Sequence, residues 1–179
     1  ASSCSGDNEE ADATPSQTTA TERETTTTLD PEEAEREAVV AALEAADQAQ
    51  FDSSAAPSPD PQDPAIAATH TGLMLDNWTA TVEGLRRTGV AFRLPENSQY
   101  RVEVDAVNFD EVDGQRVAFL EVCTVSDVER IVVATNEVAE GGVETIQASA
   151  AMRNEQDVWK LAEFRVNTTM EGEVGCAVD

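Results

Sequence analysis

Residues 100–125 read YRVEVDAVNFDEVDGQRVAFLEVCTV, and this stretch has the pattern of two β-strands joined by a tight turn. In its first half every second side chain is apolar or aromatic, and these side chains belong to Tyr100, Val102, Val104 and Ala106. Alternation with a period of two is typical of a strand with one buried face. Asp113 and Gly114 form a dipeptide that favours a two-residue turn, and the apolar run RVAFLEVCTV returns as the partner strand. The stretch therefore predicts a long antiparallel hairpin.

Further segments with the composition of strands flank this hairpin. VAFRL at 90–94 precedes it, and RIVVAT at 130–135, GVETIQASAAM at 142–152 and DVWKLAEFRV at 157–166 follow it. The turn sequences PENS, EGG and NEQD separate these segments. From the hairpin and these segments we expect a sheet of four or five mostly antiparallel strands.

The chain before residue 90 has helical patterns instead. Asp30 suits an N-cap and Pro31 suits the first helical position, which predicts a helix over 31–51. A short helix over 64–70 and a third over 72–88 follow a Pro-rich loop. The third has an apolar face at helical spacing, made of Leu75, Trp78, Val82 and Leu85. Helices followed by strands predict an α+β fold, with N-terminal helices packed in a curved antiparallel sheet.

The composition limits the kinds of partner. The chain has 179 residues and a formal net charge of −25. This charge argues against nucleic acid and against anionic lipid headgroups, since both are bound through Lys and Arg. A basic protein partner is compatible with it. Hydrophobic residues make up 40% of the chain but aromatic residues only 4%, so the core must consist mainly of small side chains.

The first 29 residues differ from the rest. They are acidic and rich in Thr, with almost no large apolar side chains, so we expect a disordered linker at 1–29 and a folded domain at 30–179. Cys4 follows small residues, as in a lipobox, although Ala1 stands where Leu is more usual. Our hypothesis is that Cys4 becomes a lipid-modified N-terminus that tethers an extracytoplasmic domain to the cell membrane. The alternative is a plain exposed thiol in a disordered tail.

Several segments together carry a family resemblance. They are ATHTG at 68–72, LRRTGV at 85–90, VDGQRVAFLEVC at 112–123, AAMRNEQDVWKLAEFRV at 150–166 and the GC pair at 175–176. Over about residues 31–177 the chain resembles small actinobacterial lipoproteins with a nuclear transport factor two-like domain, also called ketosteroid-isomerase-like or SnoaL-like. The resemblance implies a cone-shaped, cystatin-like roll with a cavity at its wide end. In many relatives this cavity binds a small apolar molecule, in others it is a filled core or a docking face, and members often dimerise through their sheets.

Three cysteines occur, and the positions of two of them suggest a pair. Cys123 lies in a predicted core strand and Cys176 lies beyond the last strand. These positions and the resemblance together predict a Cys123–Cys176 disulfide, which leaves Cys4 without a partner. The alternative is two free thiols in a cytosolic protein.

No residue set in the sequence specifies a reaction, and we predict neither a catalytic residue nor a metal or cofactor. His70 is the only histidine, and we interpret it as a surface residue or a satisfied helix-end residue. No C-x-x-C or H-x-x-x-H spacing points to zinc. Asp76 and Asp105 are the acids closest to positions that could serve an isomerase-type cavity, with Tyr100 as the only tyrosine donor.

Core packing is the default interpretation of the large side chains. If a cavity exists, we expect its wall to include Trp78, Tyr100, Phe119 and Trp159. The leading prediction is a membrane-tethered, non-catalytic binding or scaffolding module. One alternative is a cavity enzyme of the isomerase or dehydratase type, which a buried Asp beside a hydroxyl donor would favour. Another is a subunit of a cell-surface assembly, which an exposed apolar sheet face would favour.

Overall fold

The structure is a computed structural model that describes residues 30–176. The predicted linker at 1–29, with Cys4, lies outside the described residues, as do the last three residues of the chain. Between residues 30 and 176, three helices are followed by seven strands, and all paired strands are antiparallel. The predicted α+β class is therefore confirmed. None of these three helices is long and apolar enough to cross a membrane.

Side-chain caps define the helix ends. The helices are α1 (Pro31–Ser54), α2 (Pro64–Thr69) and α3 (Gly72–Thr88). The carboxylate of Asp30 accepts a hydrogen bond from the Glu32 N–H at 3.0 Å, which satisfies one free donor of α1. Asp63 does the same for the Ala65 N–H of α2 at 2.8 Å. After α3, Gly89 has a φ of 69°, in the left-handed region that glycine adopts easily at a helix end.

The strands form two sheets. They are β1 (Val90–Arg93), β2 (Arg101–Val112), β3 (Gln115–Ser126), β4 (Glu129–Val132), β5 (Glu137–Glu140), β6 (Glu144–Glu155) and β7 (Val158–Glu171). The large sheet has the order β2-β3-β6-β7 and the small sheet the order β1-β4-β5. β5 was not predicted, because all four of its side chains are exposed and no buried face marks it.

Tight turns join the long strands of the large sheet. Asp113 and Gly114 have φ values of 54° and 75° between β2 and β3, and Gln156 and Asp157 have 55° and 66° between β6 and β7. Two successive residues with positive φ are the mark of the type I′ turn, whose twist matches that of antiparallel strands. The predicted turn at Asp113–Gly114 is confirmed.

The main core lies between α1 and one face of the large sheet. It contains Val39, Leu43, Ala46, Val107, Ala118, Leu120, Val122, Ala150, Met152, Trp159 and Leu161. Trp159 packs beside Phe109 with ring centroids 6.0 Å apart. Elsewhere the core uses mainly small aliphatic side chains, as the low aromatic content requires. We call this the inner face of the large sheet and the opposite one its outer face.

The C-terminal segment covers part of the outer face. A disulfide joins Cys123 to Cys176, with Cα atoms 5.5 Å apart, as the sequence positions and the resemblance predict. Because side chains alternate along a strand, Cys123 lies on the opposite face of β3 from Val122, which belongs to the core. The Val174 N–H donates to the Thr145 hydroxyl at 3.0 Å. The chain after β7 is therefore fixed across the outer face by one covalent link and by hydrogen bonds to β6.

Candidate functional site

A cavity of about 700 Å³ lies between α1, α3 and strands of both sheets. This volume falls within the range of roughly 300–1,000 Å³ that is usual for small-molecule sites. Most of the wall is apolar, and its larger side chains are Leu43, Phe51, Trp78, Phe92, Val102, Val122, Ile146, Leu161, Phe164 and Val166. The cavity therefore suits a ligand whose body is mainly apolar.

One polar pair stands out on this wall. The Tyr100 hydroxyl donates a hydrogen bond to Oδ1 of Asp47 at 2.5 Å; Tyr100 directly precedes β2, and Asp47 lies in the second half of α1. Asp47 follows Leu43 by four residues and precedes Phe51 by four, so the three side chains share one helix face. Asp47 therefore places a carboxylate between two apolar side chains on the face of α1 that lines the cavity.

Burial governs the protonation of this pair. It raises the pKa of the Asp47 carboxyl above its ordinary value of 3.8, and the hydrogen bond from Tyr100 opposes part of that rise. The pKa of the Tyr100 hydroxyl is raised too, first by burial and then by the negative charge of Asp47. Among the ion pairs within residues 30–176, none includes Asp47. Its charge is therefore compensated by one neutral hydrogen-bond donor.

Replacement of this carboxylate gives a pH-dependent effect on stability. We expect Asp47→Asn to raise the melting temperature by a few degrees at pH 7, because an amide keeps an acceptor for Tyr100 without a partly buried charge. A raised folded-state pKa means that the stability contributed by Asp47 is complete below about pH 3.8 and is lost as the pH rises through the folded value. The gain should therefore shrink as the pH falls toward 3.8. Melting curves from pH 3 to 8 measure this, with the exposed Asp105→Asn as control. An Asn variant that is less stable at pH 7 would contradict it.

A network of hydrogen bonds holds Tyr100 in place. Buried Asp127, between β3 and β4, accepts from the Ser98 hydroxyl and from the Gln99 N–H, both at 2.6 Å. The Ser98 oxygen then accepts from the Tyr100 N–H at 3.1 Å. The loop before β2 is thereby fixed to the β3–β4 connection, which orients the tyrosine toward α1.

The single histidine supports the cavity wall from behind. His70 is 1% exposed, so it is not a surface residue. Its Nε2 lies 2.8 Å from the amide nitrogen of Gln50, which lines the cavity, and its Nδ1 lies 2.9 Å from the Thr69 hydroxyl. Thr69 donates its own proton to Ala65 O at 2.6 Å, so Nδ1 carries the ring proton and Nε2 accepts from Gln50. Burial lowers the pKa of His70, in keeping with this neutral ring.

Of the four residues expected to line a cavity, two do so. Trp78 and Tyr100 are on its wall, and the Trp78 indole N–H donates to the Ser53 hydroxyl at 3.1 Å. Trp159 belongs to the closed core instead. Phe119 is 44% exposed on the outer face, because it alternates with the inward-facing Leu120. The prediction was therefore wrong for these last two.

The acids considered from sequence are not part of the site. Asp76 and Asp105 are both exposed and neither lines the cavity. Asp47, which does, was missed, although its four-residue spacing from Leu43 and Phe51 was visible in the sequence. Within residues 30–176, no group of three or more His, Cys, Asp or Glu side chains could hold a metal ion.

Comparison with known proteins yields a likeness of fold. No family model matches the chain, and no curated protein matches it. Among solved structures, it is similar to the crystal structure of the intermembrane space region of the chloroplast protein ARC6, with a TM-score of 0.58 and 18% identity. The match covers 78% of this chain and 97% of that one. At this identity the likeness concerns the α+β architecture alone.

Proposed function

We propose that this chain is a membrane-tethered, extracytoplasmic binding module whose domain is a nuclear transport factor two-like roll. Its ligand is a small, mainly apolar molecule with one polar group. The observation that carries this proposal is the cavity of about 700 Å³, whose apolar wall is interrupted by the Asp47–Tyr100 pair. A few placed polar groups in an apolar pocket are what orient a ligand in small-molecule sites.

The geometry favours binding over catalysis. An isomerase of the ketosteroid type needs a carboxylate base and a separate hydroxyl donor, both directed at the substrate. Here the only tyrosine of the chain donates its proton to the carboxylate of Asp47, at 2.5 Å. The two groups that could form an acid–base site are directed at each other, so we do not favour the enzyme alternative.

The sheet gives less support to an assembly. Exposed side chains on the outer face of the large sheet are mostly charged; beside Phe119 they include Glu103, Glu121, Glu163, Arg153 and Arg165. A charged face with one exposed phenylalanine supplies little apolar area for a contact between two copies. A basic protein partner suits the net charge of −25 better than a second copy does.

Two features support the tether and the compartment. A disulfide between Cys123 and Cys176 is favoured in an oxidising compartment outside the cytoplasm. In the sequence, 26 mostly polar residues from Cys4 to Leu29 separate the proposed lipid-modified cysteine from the described domain. A lipid attached to Cys4 would tether the domain to the membrane through this segment.

Native mass spectrometry of protein purified from its own membrane tests both parts of the proposal. We expect a diacyl adduct on the fragment that begins at Cys4, and a small molecule that leaves on gentle activation. Cys4→Ser, expressed with its native leader, should move to the soluble fraction. Val128→Trp, which narrows the cavity at a half-buried position, should lose the small molecule, whereas Phe119→Ala on the outer face should keep it.

Each part fails on a separate result. If Cys4→Ser remains in the membrane fraction, the tether is wrong. If the wild-type protein and Val128→Trp release the same compounds, the cavity is not the binding site.

A further inference from the structure

Negatively charged side chains outnumber positively charged ones around the cavity. Four carboxylates line it, from Asp47, Glu140, Glu144 and Glu171, against one guanidinium, from Arg130. The guanidinium is engaged already, since Arg130 Nη1 lies 2.8 Å from Glu140 Oε2. Neither Glu144 nor Glu171 takes part in an ion pair within residues 30–176. Three carboxylates therefore face the cavity without a cationic partner.

The aromatic side chains of the protein are concentrated at the same place. The chain has five Phe, two Trp and one Tyr, and five of these eight line the cavity. They are Phe51, Trp78, Phe92, Tyr100 and Phe164. Aromatic faces carry negative electrostatic potential, so they attract a cation and also pack against an apolar body. Most of the aromatic residues of the protein therefore lie where they can contact a ligand in the cavity.

We propose that the ligand is an amphiphilic cation, with an ammonium or similar group against Asp47 and an apolar body against the aromatic wall. This inference rests on the binding function proposed above and specifies its ligand class. An ammonium group supplies the counter-charge that Asp47 lacks and can accompany the hydrogen bond from Tyr100. Glu171, at an exposed position of the wall and outside the ion pairs within residues 30–176, raises the local concentration of cations.

Other charge types fit the cavity less well. An anionic amphiphile would face four carboxylates and displace the one guanidinium from Glu140. A neutral amphiphile would fill the apolar space but would supply no positive charge to pair with the carboxylate of Asp47. The order of affinity should therefore be cation, then neutral compound, then anion.

Three probes of equal chain length test this order at pH 7: decylammonium and decanoate below their micelle concentrations, and decanol below its solubility limit. Binding is followed by calorimetry and by tryptophan fluorescence, since Trp78 lines the cavity. We expect decylammonium to bind about tenfold more tightly than decanol, which corresponds to about 1.4 kcal/mol. Decanoate should bind more weakly than decanol. Asp47→Asn should bring the cation-to-alcohol ratio close to one while decanol binding persists.

The matched control is Glu163→Gln, which removes one negative charge from the outer face and should leave the tenfold ratio unchanged. The inference is overturned if decanol or decanoate binds as tightly as decylammonium. It is also overturned if Asp47→Asn keeps the full preference, because the cation is then held by the general surface charge. If decanol and decylammonium both fail to bind, the proposed binding function is wrong, and this inference with it.

Discussion

Replacement of both Cys123 and Cys176 by alanine lowers the free energy of unfolding by about 4 kcal/mol. The bridge closes a loop of 53 residues, and chain-entropy theory gives this value for the freedom that the unfolded chain regains. Both side chains are buried, so the two alanines also lose some packing against Val125 and Val143. For a domain of this size, the loss is a large share of the usual 5–15 kcal/mol.

Urea unfolding at equilibrium measures this effect, with the free energy obtained from the midpoint and the slope. Wild-type protein in reductant should reach the same stability as the double variant. Cys4→Ser should match wild type, because Cys4 is outside the loop. If the free energy of unfolding of the double variant were within about 1 kcal/mol of wild type, the expected stabilisation by the disulfide would be contradicted.

The second large effect distinguishes the two tryptophans. We expect Trp159→Ala to lower the free energy of unfolding by about 3–5 kcal/mol, since its side chain is 8% exposed and fills the closed core beside Phe109. Trp78→Ala should cost less, because its indole already borders an open cavity. Trp78→Ala should weaken binding of decanol and decylammonium alike, whereas Trp159→Ala should alter stability first.

Phe119→Ala is the aromatic control for this pair. At 44% exposure on the outer face, it should change stability by no more than about 0.5 kcal/mol. Urea titrations of the three variants, followed by circular dichroism, give the comparison. Equal losses for Trp78→Ala and Trp159→Ala would show that the cavity wall is packed as tightly as the core.

Features set by short-range chemistry were predictable from the sequence. The caps at Asp30 and Asp63, the αL residue Gly89 and the turn at Asp113–Gly114 depend on neighbours within four residues. For this reason α3 was placed over its observed range, and α1 differed only in continuing three residues beyond the predicted end at 51.

Features set by long-range packing were not predictable. Between Val117 and Val125, apolar side chains lie on both faces of β3, and on the outer face the C-terminal segment covers Cys123 and Val125. Alternation could not show, therefore, that Phe119 points away from the core. Asp47 follows the buried Leu43 and Ala46 in α1, and whether a side chain at this position contacts water or a cavity depends on how the sheet packs against the helix.

The disulfide also closes part of the chain into a covalent ring. Residues 123–176 form a ring that includes β4, β5, β6 and β7. A protease that cuts once at the exposed β4–β5 or β6–β7 turn leaves both fragments joined, whereas a cut at the β2–β3 turn releases α1 and Asp47 from the rest of the covalent chain. A nick within residues 123–176 thus leaves the cavity wall covalently attached, whereas a nick in a connection before Cys123, such as the one between Val112 and Gln115, does not.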